Sequence, residues 1–218
     1  MKRLQYLFLA ACMLATAPVL AQSAAGTDTA YVRVVTQRAD KIVASMNMSN
    51  TTVSTEVRDI IAQQYQDLNK IQVEREAQVK AAKEELKDNK PALDARLQGI
   101  EDAANKKLDV LHQAYLAKLS AKLNPAQVDQ VKDGMTYGVL PLTYGVYMDM
   151  LPNLTQQQKA QMMAWLVEAR EHAMDAGSSE KKHAWFGKYK GRINNYLSAA
   201  GYNMKEVEAD WKKRKGMR

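Results

Sequence analysis

Cysteine is nearly absent from this sequence, which contains one, Cys12, in 218 residues. A single cysteine cannot form an intramolecular disulfide, so the stability of the folded chain must come from its hydrophobic core. Long apolar runs are also missing, because no stretch beyond the N-terminal segment approaches 18 uninterrupted apolar residues. The sequence therefore predicts no transmembrane segment, and we expect the mature chain to be soluble.

Motifs for catalysis are the second absence. The sequence has no glycine-rich phosphate loop and no nucleophile elbow, and it has only three histidines. Glu168, His172 and Asp175 can share one helix face, but charges at this spacing also occur on helices for solubility alone. We therefore predict no catalytic residues, no metal and no cofactor, and the absence of motifs favours a role other than catalysis.

The first 21 residues have the features of a secretory signal. Met1-Lys2-Arg3 is basic, Leu4 to Leu20 is mostly apolar, and small residues precede a cleavage position at Gln22. The pattern predicts a signal peptide over residues 1–21 and a periplasmic or secreted mature protein over 22–218. Lipoprotein anchoring at Cys12 is the alternative, although apolar residues continue for eight positions past it.

Helical periodicity runs along the mature chain. It predicts a helix from Asp28 or Thr29 to about Met46, a loop over 47–55, and a long helix from Glu56 to about Lys87. Pro91 stops that helix, and an apolar stripe then predicts a second long helix, so the two should pair as an antiparallel hairpin. The stripe consists of Leu93, Leu97, Ile100, Ala104, Leu108, Leu111, Tyr115 and Leu119.

Capping signals divide the rest into shorter helices. Asn124 before Pro125 and Thr155 before three glutamines predict two helix starts, Ser178 or Ser179 a third, and Asn203 a fourth. Strand-like alternation is nearly absent. We therefore predict an all-α fold of one domain: an N-terminal helix and long antiparallel hairpin over 28–122, packed with a C-terminal bundle of shorter helices over 123–218. Gly134, Gly177 and Gly201 are the predicted helix ends.

A direct repeat interrupts this pattern. Thr136-Tyr137-Gly138-Val139 recurs as Thr143-Tyr144-Gly145-Val146, with Pro141 between the two copies. Glycine and proline make one continuous straight helix doubtful here. Two interpretations stay open: an irregular connector whose tyrosines fill the core, or two glycines that let a ligand approach the backbone between Tyr137 and Tyr144.

Aromatic residues and positive charge concentrate in the last third of the chain. Ten of the fifteen aromatic residues lie between Tyr137 and Trp211, and residues 178–218 carry eleven Lys or Arg against four Asp or Glu. Such a mixture suits an anionic partner that contains rings. The basic run at 212–215 would also fit phosphate, but the predicted export makes nucleic acid an improbable partner.

The densest part of this region is the segment 182–197. At 100° per residue, Trp185 and Arg192 share one face with two tyrosines, Phe186 lies on a neighbouring apolar stripe, and Gly187 lies on a small-residue side where another helix could pack closely. The aromatic face has two interpretations, core packing or a ligand platform. The candidate ligand-binding residues are Trp185, Tyr189, Lys190, Arg192, Asn195, Tyr196, Tyr137 and Tyr144.

Three segments, 131–139, 165–171 and 188–196, resemble an uncharacterised family of exported helical proteins of polysaccharide-degrading bacteria. It is a domain of unknown function, and some members are labelled sugar-binding. The resemblance implies a polysaccharide-utilisation setting and supplies no catalytic residues. With the charge and aromatic bias, it leads to the hypothesis of an exported, non-enzymatic protein that binds an acidic oligosaccharide.

A second resemblance supports the alternative. Leu123-Asn124-Pro125-Ala126-Gln127 and Leu154-Thr155-Gln156-Gln157-Gln158 are similar to the Leu-Thr-x-x-Gln signature of small periplasmic helical chaperones, with Asn in place of Thr in the first. Twelve methionines could provide an adaptable client surface or a core. A periplasmic chaperone or scaffold, with a protein partner on the helical hairpin, is therefore the second hypothesis, and a glycan-active enzyme is the least favoured.

Overall fold

The computed structural model describes residues 20–216, with side chains from residue 29 onward. Most of the predicted signal peptide, including Cys12, lies outside the described residues. The described part contains helices and no strand, which confirms the all-α prediction. Its eight helices are α1 (Leu20–Ser45), α2 (Thr51–Glu85), α3 (Lys90–Ser120), α4 (Pro125–Met135), α5 (Val139–Met150), α6 (Gln156–Met174), α7 (Ser179–Ala199) and α8 (Met204–Arg214).

The predicted hairpin is formed by α2 and α3, with α1 packed along α2. The N-cap side chains of Asn50 and Asn89 accept hydrogen bonds from the first turns of α2 and α3. Two predicted boundaries are wrong: α2 begins at Thr51 instead of Glu56 because Asn50 supplies the cap, and α1 already begins at Leu20. The apolar stripe of α3 is buried or partly buried along its whole length, as its periodicity indicates.

The capping signals of the second half are correct. Asn124 and Thr155 each form a reciprocal capping box, and Ser178 and Asn203 cap α7 and α8. The predicted helix end at Gly134 lies one residue before the last residue of α4, Met135, and the predicted end at Gly177 lies three residues past the last residue of α6, Met174. The missing side chain at Gly134 has a packing role instead, since a Cβ there would lie 2.9 Å from the side chain of Ile42 on α1.

The direct repeat adopts two different conformations. In its first copy, Tyr137 and Gly138 have positive φ values of 61° and 65°, and they form the turn between α4 and α5. The second copy lies inside α5, where Pro141 is tolerated because it occupies the first helical turn. The irregular connector is therefore confined to residues 136–138. The two copies of the same four-residue sequence adopt different backbone conformations.

Two clusters of buried hydrophobic residues hold the helices together. The first cluster contains Ile61 and Leu119 and is formed mainly by the four helices α1, α2, α3 and α4. The second contains Leu166 and Ile193 and is formed mainly by α5, α6 and α7. Helix α6 belongs to both, because Met174 at its end packs in the first cluster. Between the clusters, the Arg170 guanidinium on α6 donates hydrogen bonds to Asp129 and Asp133 on α4.

In the described part of the chain, no helix is long and apolar enough to cross a membrane.

Candidate ligand-binding cleft

A cleft of about 690 Å³ lies between the hairpin and the α6–α7 pair. This volume is in the range of sites that enclose a small molecule. The hairpin contributes one wall, and the end of α6, the α6–α7 turn and the first half of α7 contribute the other. Its lining consists of Gln72, Arg75, Glu101, Asn105, Leu108, Asp109, His172, Asp175, Ala176, Gly177, Lys181, Ala184, Trp185 and Lys188.

Trp185 and His172 form the aromatic part of the cleft. Their rings are stacked, with centroids 4.4 Å apart and an angle of 16° between the planes. The ammonium group of Lys188 lies 4.9 Å from the centroid of the Trp185 ring, at a distance typical of a cation–π contact. Trp185 is partly buried, so its indole is fixed by its neighbours while it still lines the cleft.

Three buried polar atoms of the cleft lining have no hydrogen-bond partner in the described structure. They are Oε1 of Gln72, Nε of Arg75 and Oδ1 of Asp175. Unpaired buried polar atoms are rare in folded proteins because each carries an uncompensated desolvation cost. A hydroxyl group could pair with each of them, because it both donates and accepts, but the three atoms lie beneath the accessible surface of the cleft, so lining side chains must move before a ligand reaches them.

Gln72 is only 9% exposed and is placed in the cleft by a close contact with Gly177. A Cβ at residue 177 would lie 2.7 Å from Cγ and 2.8 Å from Cδ of Gln72. A larger residue in the α6–α7 turn would therefore push the amide group away. The glycine that sequence analysis treats as a helix end thus also allows the hairpin to approach this turn.

Asp175 is held at the base of the cleft by His112 from α3. Its Oδ2 lies 2.8 Å from Nδ1 of His112, and Nε2 of the same ring lies 3.5 Å from Glu171. These hydrogen bonds to Asp175 and Glu171 raise the pKa of His112 to about 9. Burial alone would raise the pKa of Glu171, but hydrogen bonds from His112 and Lys132 lower it to about 2. The network is charged at neutral pH and joins α3, α4 and α6.

Lys182 fixes the first turn of α7 beneath the cleft. Its buried ammonium group donates hydrogen bonds to the backbone oxygens of Met135, at 3.2 Å, and Met174, at 3.1 Å. These are the last residues of α4 and α6, whose terminal carbonyls have no acceptor role within their own helices. Burial lowers the pKa of Lys182 to about 8. The bonds set the position of Lys181 and Trp185 on the same helix.

Positive charge in the cleft exceeds the negative charge that is free to pair with it. Glu101 accepts hydrogen bonds from Arg75, and Asp175 is paired with His112. Among the described residues, no ion pair involves the remaining cleft charges, which are Lys181, Lys188 and Asp109. The cleft therefore contains two ammonium groups and one carboxylate without an ion-pair partner, and this excess of positive charge favours an anionic ligand.

A second aromatic and cationic group lies farther along the same face of α6 and α7. The guanidinium carbon of Arg192 is 4.6 Å from the centroid of the Trp165 ring, and its Nη1 is 3.6 Å from Glu168. Tyr196 packs edge-to-face against Trp165, with ring centroids 5.2 Å apart. The side chains predicted to share one face of α7 thus take part in two aromatic groups, one at Trp185 and His172 and one at Trp165 and Tyr196.

The other predicted site residues do not line the cleft. Tyr189 is 4% exposed and packs in the second hydrophobic cluster, with its ring 6.4 Å from His172 and 6.5 Å from Trp185, and burial together with a hydrogen bond to Glu168 raises its pKa to about 12. Lys190 lies about 140° around α7 from Trp185, on the side where its carbonyl accepts a hydrogen bond from Tyr147 on α5. Asn195 is exposed on the Arg192 side of the helix.

Tyr137 and Tyr144 lie away from the cleft. Tyr137 is 54% exposed and stacks on His183, with centroids 5.6 Å apart. Tyr144 is on α5 and packs against the second hydrophobic cluster. The small-residue side of α7 also differs from its prediction, since no atom lies within 4 Å of a Cβ built at Gly187 or Gly191, so no described helix packs closely there.

Sequence reasoning missed most of the cleft. His172 was considered as a metal ligand, yet its ring stacks on Trp185, and the described residues contain no group of three His, Cys, Asp or Glu that could hold a metal ion. Lys188 lies in the segment that sequence analysis identifies as densest. The hairpin residues Gln72 and Arg75 carry no local signal, because their role depends on a helix 100 residues away.

The comparisons with known proteins place the chain in a family without a known role. A profile described as "Protein of unknown function (DUF3826)" matches residues 32–216. This range includes every residue of the cleft lining. No curated protein matches the chain.

Proposed function

We propose, given that the chain belongs to the DUF3826 family and that the family's description assigns no activity, that it is a binding protein for an acidic oligosaccharide. The ligand would lie in the cleft between the hairpin and the α6–α7 pair. One observation carries the proposal: a single cleft combines a stacked indole and imidazole, two unpaired ammonium groups and three buried polar atoms without partners.

Each part of this combination corresponds to a part of an acidic sugar. His172 covers one face of the Trp185 indole and the Lys188 ammonium covers the other, so an acidic sugar would draw the flexible Lys188 side chain onto its carboxylate and pack its apolar face on the indole face that Lys188 leaves. Ring hydroxyls match the unpaired acceptors of Gln72 and Asp175 and the unpaired donor of Arg75, and small movements of these side chains would bring the atoms to the surface of the cleft. A carboxylate pairs with Lys181 or Lys188 at the edge of the cleft. A purely apolar ligand would leave the buried polar atoms unpaired.

The cleft favours binding over catalysis. Two of its three carboxylates, Glu101 and Asp175, are engaged by Arg75 and His112. The chaperone alternative gains no support, since every methionine in the described part of the chain is buried or partly buried. The two Leu-x-x-x-Gln segments serve as capping boxes for α4 and α6.

Isothermal titration calorimetry on the mature protein tests the proposal. The probes are oligogalacturonate and alginate oligosaccharides, with neutral cello-oligosaccharides of equal length for comparison. We expect saturable binding of at least one acidic probe, and Lys188→Ala should weaken it about tenfold, which corresponds to about 1.4 kcal/mol for one charge-assisted contact. Trp185→Ala should weaken it further, because it removes the stacking surface.

Lys190→Ala is the matched control, because Lys190 is an exposed lysine two positions away on the opposite side of α7. It should bind like the unmodified protein. Equal losses for Lys188→Ala and Lys190→Ala would show that general charge, not the cleft, attracts the ligand. Absence of binding to every acidic probe would refute the proposed function.

We further propose that the protein acts outside the cytoplasm, on the basis of the signal sequence predicted over residues 1–21. Mass spectrometry of the protein recovered from its producing bacterium should find an N-terminus at Gln22. A mature chain that starts at a lipid-modified Cys12 would replace the secreted form by a membrane-anchored one.

A further inference from the structure

The positive charges of the cleft continue along α7 beyond the cleft itself. Lys181, Lys188, Arg192 and Asn195 lie within about 60° of one another around the helix axis. At 1.5 Å per residue, Lys188 and Arg192 are about 6 Å apart along the axis, and Lys181 and Arg192 are about 16 Å apart. Lys181 and Lys188 line the cleft, whereas Arg192 and Asn195 do not. This row of side chains on α7 therefore extends beyond the cleft.

Arg192 is oriented for an anion at the outer end of this row. Its side chain is 54% exposed, and its guanidinium lies over the Trp165 ring, which Tyr196 supports from the side. A guanidinium that stacks on an aromatic face keeps its N–H edges available for a carboxylate. Its Nη1 lies 3.6 Å from Glu168 in an exposed salt bridge, which an incoming carboxylate has to share or displace.

The second wall of this strip comes from α6. Trp165 and His172 are seven residues apart, which places them on nearly the same face of the helix and about 10 Å apart along it. Trp185 packs on His172 and Arg192 packs on Trp165, so the two helices run side by side through both groups. The cleft and the outer group are therefore neighbours along α6 and α7, with Glu168 and the buried Tyr189 between them.

We infer that the binding site extends from the cleft to Arg192 and holds an acidic oligosaccharide chain with carboxylates at two or more positions, rather than a single acidic sugar. This inference rests on the proposed function of the cleft. One sugar occupies the cleft next to Trp185 and Lys188, and the following sugars leave it along α7. A carboxylate on one of them binds the guanidinium of Arg192.

The test compares galacturonate with its dimer and tetramer by calorimetry, on the unmodified mature protein and on Arg192→Gln. We expect the tetramer to bind at least ten times more tightly than the monomer, and Arg192→Gln to remove most of this gain. The affinity for the monomer should stay unchanged, since Arg192 does not line the cleft. Lys190→Gln, which alters an exposed cation on the other side of the same helix, should retain the full gain.

The outcomes separate the two proposals. Equal affinity for monomer and tetramer, or an equal loss for both in Arg192→Gln, overturns the extended site and leaves the cleft as a site for one sugar. A length gain that Lys190→Gln removes as well would assign it to general charge and overturn the role of Arg192. If no length of acidic sugar binds, the proposed function itself is wrong.

Discussion

At the scale of single residues, Gly138 and Gly187 are equally uncrowded but differ in backbone conformation. Gly138 has φ of 65° in the turn between α4 and α5, whereas Gly187 lies within α7 with ordinary helical geometry. A Cβ built at either residue has no atom within 4 Å. Crowding is therefore equal at the two sites, and backbone conformation alone distinguishes them.

Alanine at these two positions should change stability in opposite directions. Gly138→Ala should lower the free energy of unfolding by about 1 kcal/mol, because L-residues are strained at positive φ. Gly187→Ala should raise it by about 0.5–1 kcal/mol, because alanine loses less backbone entropy in a helix interior. Urea unfolding followed by circular dichroism measures both, and changes of the same sign would contradict the assigned backbone geometry.

At the scale of helices, a network of polar contacts connects the hairpin to the C-terminal bundle. His112 on α3 contacts Asp175 and Glu171 on α6, and Glu171 also binds Lys132 on α4. The cleft opens beside this network, and Asp175 belongs to both. The network therefore positions one of the groups that the ligand would meet.

The stability contributed by His112 should depend on pH. The pKa of His112 is about 9 in the folded protein against 6.5 for an ordinary histidine, so its contribution is complete below about pH 6.5 and is lost as pH rises through about 9. Since the side chain is 12% exposed, we expect about 2 kcal/mol. Urea unfolding of His112→Asn should show this deficit at pH 6 and little deficit at pH 9.5.

The acidic limit of the same network has the opposite sign. The pKa of Glu171 is about 2 in the folded protein against 4.5 ordinarily, so its contribution is present above about pH 4.5 and is lost as pH falls through about 2. The network should stabilise the fold most between these limits, near pH 4.5–6.5.

His183→Asn is the control for His112→Asn, because His183 is exposed and has no ion pair among the described residues. A pH-independent deficit in His112→Asn would mean that its role is packing.

At the scale of the whole molecule, one helix connects the two hydrophobic clusters. Met174 of α6 is buried in the first cluster, while Met162 and Leu166 of the same helix are buried in the second. Because α6 contributes to both clusters, unfolding of one cluster should destabilise the other. The chain should therefore behave as one domain, as predicted from its sequence.

Cooperative unfolding can be tested with the natural tryptophans. All three, Trp165, Trp185 and Trp211, lie in the C-terminal half, so tryptophan fluorescence reports on that half and far-ultraviolet circular dichroism on all helices. We expect the two signals to change at the same urea concentration. Ile61→Ala in the first cluster and Ile193→Ala in the second should each lower the urea midpoint of both signals together. The corresponding loss in the free energy of unfolding should be about 2–5 kcal/mol. Separate midpoints would reveal two independent units.

The sequence by itself determined the fold class, the hairpin and the starts of α4, α6, α7 and α8. These depend on local signals: the 3.6-residue apolar period and side chains such as Asn124 and Thr155 that cap the turn next to them. Its error at the start of α2 is a missed local signal, because Asn50 caps that helix in the same way.

Only the tertiary structure decided which candidate residues line the cleft. A helical wheel places Trp185, Tyr189 and Arg192 together, but the packing of α6 against α7 buries Tyr189 and leaves Trp185 beside His172. The hairpin wall of the cleft, with Gln72 and Arg75, is about 100 residues from α7 in sequence. Such a site is set by the angle between packed helices, and that angle depends on contacts between segments that no local pattern in either one encodes.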